Sequence, residues 1–196
     1  MLILLILPMV VVGCGKKEEP PKVVGISVGL QTDKYVMTDN RIKVVYGSDD
    51  VYIKADDFKV SLKYSDGSSM VIRQNNLTTD GFSFSTNLPM DITPDVGEYT
   101  LTFKYQNYEE KKIVLEVIKA DFVFEPEWDY TVPYYYDGIE KIITLKNLPT
   151  GVFATYTGNR QTEVGKYMAV AELTHINQKN YNPLGQATLE WEIIAE

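Results

Sequence analysis

From Val23 onward, apolar and polar residues alternate with a period of two, broken by turn residues, and no apolar i, i+3, i+4 stripe is sustained. That rhythm predicts strands. Phe58, Val60, Leu62 and Tyr64 fall on one face with Lys59, Ser61 and Lys63 on the other, and Asp66-Gly67 marks a hairpin turn before Met70-Val71-Ile72. Tyr99, Leu101, Phe103 and Tyr105 repeat the pattern, turn near Gln106-Asn107 and return through Ile113, Leu115 and Val117. The series stops around Lys119-Ala120 and restarts with Phe122, Phe124, Trp128 and Tyr130. Ile143 and Leu145 follow, then Val152, Ala154 and Tyr156, then Tyr167, Ala169 and Ala171, and finally Leu189, Trp191 and Ile193. Short strands separated by Gly, Asp and Pro predict two tandem antiparallel β-sandwiches, over residues 23–119 and 120–196, rather than a parallel sheet with crossover helices.

The two series share an echo. Asp95-Val96-Gly97-Glu98-Tyr99 in the first has a counterpart in Glu163-Val164-Gly165-Lys166-Tyr167 of the second. In immunoglobulin sandwiches a tyrosine at this corner bonds through its hydroxyl to nearby backbone, two residues before the second cysteine. Leu101 and Ala169 stand in the cysteine's place here.

Ahead of the strands lies a twelve-residue apolar run, MLILLILPMVVV, followed by Gly13 and the chain's one cysteine, Cys14. Twelve residues are too few to cross a bilayer as a helix and match the apolar region of a signal peptide. A buried first strand with Cys14 as a core thiol is the alternative, and the charged, proline-containing stretch after Cys14 argues against it. Val11-Val12-Gly13-Cys14 resembles the lipobox of bacterial lipoproteins. The resemblance implies removal of residues 1–13, lipidation of Cys14, a tether over residues 14–22 and a membrane partner reached through the lipid on the extracytoplasmic face. The positive stretch that usually opens such a signal is missing after Met1, as it would be if the gene's start were placed too far downstream.

Charge and cysteine content narrow the function. The net charge is −8, and Lys16, Lys17 and Lys22 against Glu18 and Glu19 make the tether +1, which leaves about −9 on the body. Such a surface repels nucleic acid. With no cysteine beyond Cys14, stability has to come from packing, and the 44% hydrophobic content supplies a core.

Further motifs carry a second resemblance. Tyr64-Ser65-Asp66-Gly67-Ser68, Val96-Gly97-Glu98-Tyr99 and the strand after Lys112 make residues 23–118 similar to a bacterial immunoglobulin-like domain. Tyr136-Asp137-Gly138, Leu148-Pro149-Thr150-Gly151-Val152, Tyr156-Thr157-Gly158-Asn159, Asn180-Tyr181-Asn182 and Trp191-Glu192-Ile193 make residues 120–194 resemble the repeat modules of bacterial surface adhesins. The resemblance implies a non-catalytic surface protein for adhesion or scaffolding, and fold alone does not choose a partner.

Candidate chemistry is sparse. His175 is the single histidine and has no Cys or Ser partner in a nucleophile motif, so no hydrolase triad is expected. Asp49-Asp50, Asp56-Asp57 and Asp66 could offer oxygens to Ca²⁺, but their spacing matches no calcium loop and turn duty accounts for them, so neither metal nor cofactor is expected. Trp128, Tyr130, Tyr134 and Tyr135, with Tyr136, form the stretch best suited to a ligand, since exposed flat rings stack on sugars and anchor protein interfaces. Most of these rings are expected in the core, and a carbohydrate-binding role would need coplanar rings facing solvent.

Overall fold

The computed structural model describes residues 19–72 and 81–196. Cys14 and the apolar run before it lie outside the described residues. The chain is all-β, as the alternation predicts, with single 3₁₀ turns at Asp49–Val51 and Ala55–Asp57.

The first core is enclosed by two sheets. One is three-stranded, built from β1 (Val23–Leu30), β4 (Phe58–Tyr64) and β5 (Ser69–Ile72) in the order β1-β4-β5. The other holds β2 (Met37–Thr38), β3 (Arg41–Val45), β6 (Phe82–Thr86), β7 (Gly97–Tyr105) and β8 (Lys111–Ile118), in the order β2-β3-β8-β7-β6. Alternate residues of each strand enter the core: Phe58, Val60 and Leu62 from β4 meet Leu101, Phe103, Ile113, Leu115 and Val117 from β7 and β8. Phe58 and Phe103 join the layers edge to face, with centroids 5.0 Å apart. The Asp66-Gly67 hairpin forms as expected, with Gly67 at φ +83 and the Ser68 N–H donating to the Asp66 carboxylate at 2.9 Å.

The second core is smaller and divides into two clusters, one around Trp191 and one around Ala171 and Leu173. Its larger sheet runs β11-β13-β14-β9, from β11 (Val152–Thr157), β13 (Gly165–His175), β14 (Gln186–Ile194) and β9 (Tyr134–Tyr135). Facing it, β10 (Lys141–Ile142) pairs with β12 (Arg160–Gln161). Asn159 is buried and reinforces that layer, its amide donating to the Ile143 carbonyl at 3.0 Å while its own carbonyl accepts the Ile143 N–H.

Two sequence expectations need correction. Residues 122–130 form no strand and touch a ladder only at one isolated bridge, Trp128 with Leu145. Pro126 carries no N–H, and the Asn147 side chain takes the place of a strand partner by accepting from the Glu127 N–H and donating to the Glu125 carbonyl. Nor is pairing wholly antiparallel, since β3 runs parallel to β8 and β9 to β14. A parallel pair needs a long crossover. Between β3 and β8 that crossover carries strands β4 to β7 and, among the described residues, no α-helix.

Candidate functional site

Both corner tyrosines act as the echo suggests. The Tyr99 hydroxyl donates to the Asp95 carbonyl at 2.9 Å, and the Tyr167 hydroxyl to the Glu163 carbonyl at 2.7 Å. Each bond runs back four residues and pins the chain entering its strand.

Of the aromatic candidates, most rings turn inward. Trp191 is 2% exposed, with Tyr130 and Tyr134 each 6.3 Å from it in edge contact and Tyr167 tilted at 5.4 Å. Its indole N–H donates to the Gly158 carbonyl at 3.1 Å. The Tyr130 hydroxyl accepts the Glu192 N–H at 3.1 Å, one residue before β9 takes over the edge of β14. Trp128 is half-buried against Tyr156, 6.0 Å away at an angle of 64°. Tyr135 and Tyr136 face solvent. Trp128, Tyr130 and Tyr134 are thus brought together around Trp191 and Tyr156 in tilted, interlocking geometry, apart from Tyr135. Beside them lies a shallow groove of about 470 Å³ between Tyr130, Met168, Glu190 and Glu192.

The acidic pairs are occupied locally. Asp50 lies 3.4 Å from Lys34, and Asp57 accepts the Lys54 N–H at 2.7 Å. Among the described residues no three His, Cys, Asp or Glu side chains gather as a metal would require. His175 ends β13 in a buried position, its Nδ1 accepting the Asn177 N–H at 2.9 Å and its ring packed 4.4 Å from Tyr181 and 4.8 Å from Phe122.

Tyr181 leads to the arrangement that sequence reasoning missed. The turn after β13 docks on the corner before β7. Asn180, 2% exposed, donates its amide to the Asp95 carboxylate at 2.7 Å, while its side-chain oxygen accepts the Val96 N–H at 2.9 Å. Lys179 reaches the other Asp95 oxygen at 2.6 Å. Backbone bonds complete the joint, with the Ala120 N–H donating to the Asn180 carbonyl and the Asn182 N–H to the Ala120 carbonyl. Tyr46, which follows β3, meets Tyr181 edge-on at 5.5 Å. Lys179, and then Asn180, hold the Asp95 carboxyl below its ordinary range, and Asp95 in turn raises Lys179. The available signals were the Asp95 motif and the Asn180-Tyr181-Asn182 motif, with nothing in the sequence to connect them.

No family model matches the chain, and no curated protein matches it. Among solved structures, domains 4 and 5 of the S-layer protein SbsC align at 13% identity over 69% of this chain and 90% of that one, with a TM-score of 0.23. Domains 4–9 of the surface layer protein SbsC align at 16% identity over 90% of this chain and 32% of that longer one, with a TM-score of 0.27. Scores this low do not place two chains in one fold.

Proposed function

We propose that the chain is a non-catalytic lipoprotein of the bacterial surface, anchored through Cys14, in which two β-sandwiches act as a stiff bracket that holds a binding face away from the membrane. The joint carries this reading. A flexible string of beads needs no buried asparagine between its units, whereas Asn180, itself buried, places its two polar groups on an acid and an N–H of the first sandwich. The body's acidic charge and the absence of cysteines beyond Cys14 suit an exported adhesion or scaffold protein whose partner is a protein or glycan, not a nucleic acid. Globomycin treatment or Cys14→Ala tests the anchor: globomycin should leave the signal attached and raise the protein's apparent mass, and Cys14→Ala should abolish incorporation of labelled fatty acid. A chain that partitions with the cytosol in its wild-type form refutes the reading.

Exposed Tyr135 and Tyr136 support a second reading, carbohydrate binding at the far end of the second sandwich. Titration with glycans while following tryptophan emission tests it, and Tyr135→Ala should abolish any response. A response unchanged by that substitution argues against a site there.

A further inference from the structure

The joint between the sandwiches is built from three features of the first sandwich, and the second sandwich repeats all three at its far end. The first is the corner. Asp95-Val96 precedes β7 and Glu163-Val164 precedes β13, each fixed by its tyrosine hydroxyl, and Glu163 offers the same two oxygens on a side chain one methylene longer. The second is the register of the exit strand, since Gly97 pairs with Val117 and Gly165 with Ile193 in the same antiparallel sense. The third is a tyrosine after a parallel strand. The Tyr46 N–H donates to the Ile118 carbonyl at 2.9 Å, and the Tyr136 N–H donates to the Ile194 carbonyl at 2.9 Å.

Their exposure differs as occupancy would dictate. Val96 is half-buried beneath Asn180 and Tyr46 is covered by Tyr181, whereas Val164 is 49% exposed and Tyr136 43% exposed. Tyr135, at 62%, extends the apolar surface beside them. An exposed apolar patch set beside an exposed acid is the form of a docking face.

We infer that Glu163, Val164 and Tyr136 form a second docking face, whose occupant is a further β-sandwich presenting a Lys-Asn-Tyr turn like that of Lys179, Asn180 and Tyr181. The ammonium and amide of that turn answer the Glu163 carboxylate, its asparagine oxygen answers the Val164 N–H, and its tyrosine packs edge-on against Tyr136. A second copy of this chain is excluded as the occupant, because its own Asn180 is already buried on Asp95. The face does not depend on whether Cys14 carries lipid, so failure of one proposal leaves the other standing.

A fusion supplies the occupant. Ala120 stands two residues after Ile118, as Glu196 stands two after Ile194, so residues 1–195 followed directly by residues 120–196 set the added sandwich in the geometry of the existing joint. A companion fusion with a Gly-Ser-Gly spacer relieves any strain at the connection. In at least one of the two, NMR should record amide exchange at Val164 slowed tenfold or more and a single rotational correlation time. Glu163→Ala with Tyr136→Ala should restore the exchange rate and free the added sandwich, leaving the Val96 amide unchanged. Independent tumbling with unaltered Val164 exchange in both fusions overturns the inference, as does a rigid fusion indifferent to the two substitutions.

Discussion

Gly158 follows β11 where the chain leaves the larger sheet for the opposite layer, and replacing it with alanine isolates a steric cost. Its φ is +68, and a Cβ there would meet the Met168 carbonyl oxygen at 2.1 Å. Ordinary contact lies at roughly 3.5 Å, so β11 or β13 must give way by more than about 1 Å. The left-handed backbone adds about 1–2 kcal/mol for any side chain, and forcing an atom into a packed site adds about 1–3 kcal/mol. Gly158→Ala should therefore destabilise by about 2–5 kcal/mol. Gly138 is the control, because its φ of +75 is similar but nothing lies within 4 Å of its would-be Cβ. Gly138→Ala carries the backbone cost alone, about 1–2 kcal/mol. Both tryptophans, Trp128 and Trp191, pack in the second core, so urea denaturation followed by tryptophan emission reports on it selectively. The Trp191 N–H bond to the Gly158 carbonyl should loosen as well, reddening the native emission of Gly158→Ala only. If the two variants unfold at the same urea concentration, the close approach to Met168 is not a constraint and the reasoning fails.

Leu115→Ala removes a fully buried side chain from the first core and should cost about 2–5 kcal/mol, lowering the transition seen by β-sheet circular dichroism while the tryptophan transition stays in place. Tyr167→Phe deletes the 2.7 Å bond to the Glu163 carbonyl and should cost about 1 kcal/mol in the tryptophan-detected transition, whereas Tyr99→Phe should leave that transition unmoved. The Asp95 carboxyl is held below its ordinary 3.8, so its contribution to the joint is present above that value and lost as pH falls through the lowered one. Acid titration followed at the Val96 amide should accordingly show an intact joint above pH 3.8 and opening only below it, and a transition at higher pH would contradict the assignment.

The alternation reveals burial rather than pairing, and this sets what the sequence makes legible. In β4, β7, β8, β13 and β14 one face meets a core, so the period of two appears and the strands are found where expected. Residues 122–130 show apolar residues for the same reason, because Phe124, Trp128 and Tyr130 pack against the second core, yet the backbone there lacks a ladder. The side-chain amide of Asn147 supplies what a neighbouring strand would have, and no pattern in residues 122–130 encodes a partner twenty positions away. The direction of β3 and β9 was hidden likewise, since alternation is the same beside a parallel or an antiparallel neighbour. The corner tyrosines were legible because each hydroxyl reaches a carbonyl only four residues back. Asn180 and Asp95 are separated by 85 positions, and their meeting is a product of the assembled fold.

Asp95 serves two structures with different atoms, which explains how one corner can do both. Its backbone carbonyl holds Tyr99 and so fixes the entry to β7, while its carboxylate oxygens and the neighbouring Val96 N–H receive Lys179 and Asn180. The two sets of bonds do not compete, and the tyrosine bond fixes the backbone of the corner on which the second sandwich docks. That preorganisation lowers the entropy lost in docking. At Glu163 the carbonyl is engaged by Tyr167 in the same way and the carboxylate faces solvent, so the corner is ordered by the fold of its own sandwich and requires only a turn of matching chemistry to complete a second joint.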